Sequence, residues 1–162
     1  VYRGDIKLPM TENLNVKNQW MALAFAQAKA AGEQGEVPVG AVIVRDGKLI
    51  AAAGNQVIHQ CDPSAHAEML VIREAAQVLK SPRLAECDLY VTLEPCPMCA
   101  TALSFARMRR VIFGAFDPKG GGIDHGPRVF DHPTCHHRPE VLGGMAAQAC
   151  AALLKDFFVV KR

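Results

Sequence analysis

The chain lacks any apolar run of the roughly 20 residues that a membrane-spanning helix requires. Its longest helix-like apolar stretch, Trp20 to Ala31, is interrupted by Gln27 and Lys29. It also lacks anything resembling a secretory signal, because Val1 to Asn18 carries no apolar core. These two absences lead us to expect a soluble, cytoplasmic protein with no membrane association. They also change how its six cysteines are read: as free or metal-bound thiols of a reducing compartment, not as a disulfide framework. An excess of charge of one sign is lacking as well. A formal net charge of +2 gives little support for a polyanionic partner, since dedicated nucleic-acid domains are often far more basic, and local clusters must decide that question.

Neither an internal repeat nor a domain boundary divides the 162 residues, a length that suits one domain burying roughly 70% of its unfolded surface. Residues 1–18 read as a tail apart from a single domain over 19–162. Because the chain does not begin with Met and Met10 offers a natural start, Val1 to Pro9 read as processed or non-native sequence.

The spacing of Trp20, Leu23, Ala24 and Ala28 predicts a helix over 16–31, with Gly32 as its C-terminal cap. Val39 to Val44 and Leu49 to Ala53 flank Asp46-Gly47 and read as a hairpin. Asp62-Pro63-Ser64 supplies a capping side chain and a first-turn proline for a helix from about Ala65 to Leu79, which Ser81-Pro82 stops. Asp88 to Leu93 is a strand, Pro95 or Pro97 opens a helix towards Met108, and Arg110 to Phe116 is a strand again. A loop rich in glycine and histidine follows from Asp117 to about Glu140, then a last helix from Met145 to Phe158. Strands alternating with helices after an opening hairpin imply a three-layer α/β domain with a mixed sheet.

Three ligand-type residues stand in the pattern His66-Ala67-Glu68, then Pro95-Cys96-Pro97-Met98-Cys99. A catalytic zinc commonly takes three protein ligands and leaves its fourth position to water, so the count fits catalysis. His66 is expected in the first turn of one helix and both cysteines in the first turn of another, where free N–H groups and the helix dipole favour thiolate. Glu68, two residues beyond His66, would diverge from it by about 200° on a regular helix. It is poorly placed as a ligand and better placed to move protons of a water that zinc has made nucleophilic. That is the chemistry of hydrolytic deamination.

His-x-Glu followed by Pro-Cys-x-x-Cys is the signature of the zinc nucleobase deaminases. Within them the chain resembles the bacterial tRNA adenosine deaminases from about Trp20 to Phe158. The resemblance runs through Gly35-Glu36-Val37-Pro38-Val39-Gly40-Ala41-Val42, Asn55, Asp62-Pro63-Ser64-Ala65-His66-Ala67-Glu68-Met69, Tyr90-Val91-Thr92-Leu93-Glu94-Pro95-Cys96, Asp117 and Asp156-Phe157-Phe158. It implies a cytidine-deaminase-like fold, with a mixed sheet of about five strands flanked by helices. It further implies one zinc ion per subunit, a homodimer, and conversion of adenosine to inosine at the wobble position of a tRNA anticodon stem-loop. By the same resemblance Asn55 hydrogen-bonds the purine, Asp117 contacts the sugar of the target nucleotide, and the backbone N–H of Ala67 orients the base over the metal. The chain departs from the family in Phe116, Pro118-Lys119-Gly120-Gly121-Gly122 and Asp124-His125-Gly126-Pro127-Arg128. In that loop Lys119 and Arg128 are candidate phosphate contacts, testable by salt dependence.

Rival readings stand beside these. Cys-x-x-Cys after a strand also describes a redox pair. A structural zinc, closed by a fourth ligand such as Cys61, Cys87, Cys135 or Cys150, would make the chain a nucleic-acid-binding module. Within the same chemistry, the substrate could be free guanine, cytosine or a nucleoside. The stretch Asp131 to His137 reads as a polar loop more simply than as a second metal site, having no recognised zinc spacing. Arg107, Arg109 and Arg110, and Lys155, Lys161 and Arg162, suit solvated helix ends as well as RNA. Phe157-Phe158 suits a core anchor as well as base stacking.

Overall fold

The computed structural model describes residues 18–161. Residues 1–17 of the tail expected over 1–18, the helix start at Val16 and the cation Arg162 lie outside the described residues.

Helix α1 (Gln19–Glu33) begins at Asn18, whose Oδ1 accepts the N–H groups of Trp20 at 2.9 Å and Met21 at 3.1 Å. This satisfies two of the donors that a helix start leaves without partners. The expected cap at Gly32 is corrected: Gly32 lies inside the helix, and the chain leaves it at Gly35, where φ is +87°. There the N–H of Glu36 reaches Ala31 O and that of Gly35 reaches Gly32 O, each at 3.0 Å, which is a Schellman closure.

Strands β1 (Gly40–Arg45) and β2 (Lys48–Gly54) form the expected hairpin. Asp46 and Gly47 both take positive φ, +49° and +69°, as a two-residue hairpin turn of right-handed twist demands. Strands β3 (Asp88–Leu93), β4 (Arg110–Ala115) and β5 (Glu140–Gly143) complete one sheet in the order β2-β1-β3-β4-β5. It is mixed: β1 pairs antiparallel with β2 and β3, whereas β3, β4 and β5 run parallel. The fifth strand begins where the long loop was expected to end. Its four residues are mostly exposed at a sheet edge, so they carry none of the apolar alternation that betrays a half-buried strand.

Side chains alternate across the sheet. Val42, Val44 and Ile112 face Met21 and Ala24 of α1, with Ala149 of helix α4 (Ala147–Val160) and Met145 from just before that helix joining them. Ala41, Ile43, Leu89, Val91, Val111 and Phe113 face the other way, onto helices α2 (Ala67–Leu79) and α3 (Pro97–Phe105). Helices thus cover both faces, the three-layer α/β arrangement expected. Gly40 allows α1 to sit directly on β1, since a Cβ there would overlap Ala24 O and Ala28 N. No helix among the described residues is long and apolar enough to cross a membrane.

Helix α2 starts two residues later than expected. Asp62 does not cap it. Its Oδ1 accepts the N–H and Oγ–H of Ser64 at 2.8 and 2.7 Å, closing a local turn, and His66 in extended conformation becomes the residue that precedes the helix. Helix α3 stops at Phe105, just before Arg107 takes φ +60°.

Candidate active site

The carboxyl end of β3 and the amino ends of α2 and α3 converge at one place, because the parallel β3-α3 crossover and the β2-α2 connection both turn there. His66 occupies the position just before α2, Cys96 the position just before α3, and Cys99 is the third helical residue of α3. His66 and Cys96 were expected inside the first turns; each lies one step before its helix, where extended backbone aims its side chain across the gap.

His66 Nδ1 lies 3.6 Å from the sulfurs of both Cys96 and Cys99, and the three ligating atoms fall within 4.8 Å of one another. A tetrahedral zinc with Zn–S near 2.3 Å and Zn–N near 2.05 Å places nitrogen and sulfur ligands about 3.6 Å apart. The donor set therefore fits zinc in spacing as well as in kind. The proton balance agrees. A hydrogen bond from the Cys99 thiol, partly opposed by burial and supported by His66, draws the Cys96 thiol down to about 4. That same hydrogen bond, with burial and the neighbouring Glu68, pushes Cys99 strongly up. The hydrogen bond to Cys96 raises the His66 imidazole. Two thiols and an imidazole thus share protons that a dication would replace.

Glu68, in the first turn of α2, is 3% exposed. Burial, with the charge on Cys96 adding, pushes its carboxyl up to about 7, where a group can both take and give a proton near neutrality. It opens onto a cavity of about 430 Å³ with Asn55, His66, Cys96, Asp117 and Gly120. That is enough room for a small organic ligand.

Asn55, just past β2, accepts the Ala67 N–H on its Oδ1 at 2.8 Å. The amide expected to orient a base thus holds Asn55 in place in this structure. Asp117 reaches the cavity while its Oδ1 accepts the N–H groups of Lys119 at 3.2 Å and Gly120 at 2.9 Å. Lys119 is exposed and contributes backbone, not side chain, to this turn.

Two functional residues were missed by the sequence reading. Glu94 is buried and accepts the N–H groups of Asp117, Ile123, Asp124 and His125 and the His125 ring at Nδ1. Glu36, equally buried, accepts the N–H groups of Ile58 and His59 and the His59 ring. Each carboxylate anchors one loop beside the cavity. The available signal was an acid within an otherwise buried run, since a buried charge must find partners.

The competing features resolve. Among the described residues only His66, Cys96 and Cys99 come together as a metal-type group, and no fourth cysteine joins them. His132 and His137 place Nε2 on the carbonyls of Pro127 and Met108, each at 2.7 Å, so they serve the loop's own fold. Asp88 takes Arg109 at both oxygens and Arg110 at one, which engages two of the three arginines of that cluster within the fold. Phe157 is half-buried under the Lys161 ammonium, 4.9 Å from the ring centre, while Phe158 is 49% exposed.

The family model for the cytidine and deoxycytidylate deaminase zinc-binding region matches residues 14–115. A tRNA-specific adenosine deaminase of Agrobacterium fabrum is 52% identical over 146 residues, covering 90% of this chain and 96% of the relative. One from Aquifex aeolicus is 49% identical, covering 88% and 93%. A solved structure from studies of A-to-I editing by tRNA:A34 deaminases at the wobble position superposes with a TM-score of 0.82 at 53% identity, covering 83% of this chain and 98% of that one.

Proposed function

Because this chain belongs to the cytidine and deoxycytidylate deaminase family, we propose that it hydrolyses adenosine to inosine at the wobble position of tRNA. The observation that carries the reading is the juxtaposition of a three-ligand zinc site with a buried carboxyl on the wall of an open cavity. His66, Cys96 and Cys99 would hold the ion. When bound, zinc lowers the pKa of a coordinated water and so supplies a nucleophile at neutral pH.

The chain's own residues do the rest. Glu68 takes a proton from the attacking water and delivers it to the purine ring, then takes the proton of the hydroxyl now on C6 and passes it to the amino group, which leaves as ammonia as the C6–N bond breaks and C6=O forms. Asn55, with its Oδ1 engaged by Ala67, offers its amide donor to an acceptor nitrogen of the purine. Asp117 has one oxygen in its own turn and offers the other to a ribose hydroxyl. Lys119, exposed beyond it, meets the phosphates of the anticodon loop. The protein works in the cytoplasm as a homodimer with one zinc per subunit. A stripe on α3, Met98 at 37% and Phe105 at 66% exposure, supports pairing of two copies through the helix that carries Cys99.

Sequencing of tRNA before and after treatment with the zinc-loaded protein tests this reading. Inosine should appear at the wobble adenosine and at no other position. Deamination of free guanine, cytosine or nucleosides with the tRNA unchanged would overturn it.

A further inference from the structure

Nine residues, 117–125, form the cavity wall that contains Asp117 and Gly120, and they have no helix or strand of their own to hold them. Their main support is one carboxylate. Glu94 Oε1 accepts Asp117 N at 3.2 Å and His125 Nδ1 at 2.8 Å. Oε2 accepts the amides of Ile123, Asp124 and His125 at 3.3, 3.1 and 3.2 Å. Gly122 N adds a bond to Pro95 O at 2.8 Å. The loop is pressed so closely against the metal-ligand turn that a Cβ on Gly121 would overlap the Glu94 carboxylate, and one on Gly122 would overlap the backbone of Cys96 and Pro97. Gly121 and Gly122 are thus required by this approach.

The four amides are lined up only once the loop is folded, whereas the His125 ring is the one side chain that reaches the carboxylate. A buried carboxylate is costly unless fully paired, and bonds to it are the strong ones. His125 is therefore the side chain through which the loop is tied to Glu94. Its ring also meets Phe116 edge-on, with centroids 6.3 Å apart. Another part of the cavity lining uses the same device: Glu36 takes the Ile58 and His59 amides at 2.9 and 3.2 Å and His59 Nδ1 at 3.1 Å.

We propose that Glu94 and His125 are positioning residues for the substrate, clamping Asp117 and the Gly120–Gly122 turn where they receive the target nucleotide. The clamp acts on RNA binding and leaves proton transfer to Glu68. This rests on the function proposed above.

The test compares His125→Leu with His125→Asn. Both remove the ring and its contact with Phe116, but asparagine keeps an N–H donor at the δ position and leucine does not. KM and kcat are measured on anticodon stem-loop RNA with zinc-loaded protein, together with hydrogen exchange of the amides of residues 117 and 123–125. Losing a hydrogen bond to a buried charge predicts a KM about 10-fold higher for His125→Leu with kcat within about 3-fold, and amide exchange about 10-fold faster. His125→Asn should stay near wild type in both readouts. Equal impairment of the two variants would overturn the clamp in favour of ring packing. A wild-type KM and wild-type exchange in His125→Leu would overturn it outright. The exchange difference needs no RNA, so inactivity of the wild type on RNA would sink the functional reading while the exchange result still decides the clamp.

Discussion

Asn55 and Ala67 are joined by a hydrogen bond of 2.8 Å from the Ala67 amide to Asn55 Oδ1, across twelve residues of chain. His66 cannot cap α2 with its own side chain, because its imidazole is aimed at Cys96 and Cys99. One of the orphan donors at the helix start is therefore satisfied by a residue of another element. A side chain that lines the cavity thus also fixes the backbone next to a metal ligand.

Asn55→Ala should leave that amide without a partner and cost about 1–2 kcal/mol, the usual loss for a missing N-cap. Asn55→Asp keeps an acceptor, and places negative charge where the helix dipole favours it. It should retain wild-type stability while losing deamination, since it lacks the amide donor. Thermal melts of the zinc-loaded variants check the first half. If alanine and aspartate melted together at the wild-type temperature, the cap role would be wrong.

Cys99→Ala leaves one imidazole and one thiolate, too few to hold a structural or catalytic zinc tightly. Zinc per chain in the purified variant, measured by elemental analysis, should fall to below about a tenth of the wild-type value. Full occupancy would remove Cys99 from the ligand set.

Glu68→Gln preserves shape but removes the proton carrier, so zinc should remain while turnover falls by about 10²–10⁴. Zinc content and single-turnover deamination on the same sample separate the two effects. Near wild-type turnover would transfer the proton shuttle to another group.

Much of this site was legible because its chemistry is encoded in residue types at fixed spacing. His66, Cys96 and Cys99 meet as their pattern implied, and the hairpin at Asp46-Gly47 follows from local turn preferences. What was illegible depended on tertiary partners. Strand β5 has no alternation to betray it. The bond between the Ala67 amide and Asn55 joins two segments twelve residues apart. Glu36 and Glu94 stood in plain view within the quoted motifs, but their roles arise from loops 22 to 31 residues away along the chain. No local rule predicts which amides will converge on a buried acid.

Those two carboxylates, with Asp88, also set the acid limit of the fold. Burial pushes each upward, yet hydrogen bonds outweigh it. Glu36 is held down by the amides of Ile58 and His59 and the His59 ring, Glu94 by the His125 ring and the loop amides, and Asp88 by Arg109 and Arg110. All three therefore titrate below their ordinary values of 4.5 for Glu and 3.8 for Asp. A group depressed in the folded state contributes stability that is fully present above its unfolded pKa and is lost as pH falls through the folded one. The melting temperature should accordingly hold from neutrality to about pH 5 and then fall steadily as pH is lowered further. Acid also releases zinc from thiolates, so Glu36→Gln serves to isolate the carboxylate's share. This variant should melt below wild type at neutral pH, and the gap should narrow as pH falls below the ordinary glutamate value, because the wild-type carboxyl is then protonated too. A gap that stayed constant or widened in acid would mean that the ionised Glu36 does not hold the loop at Ile58 and His59.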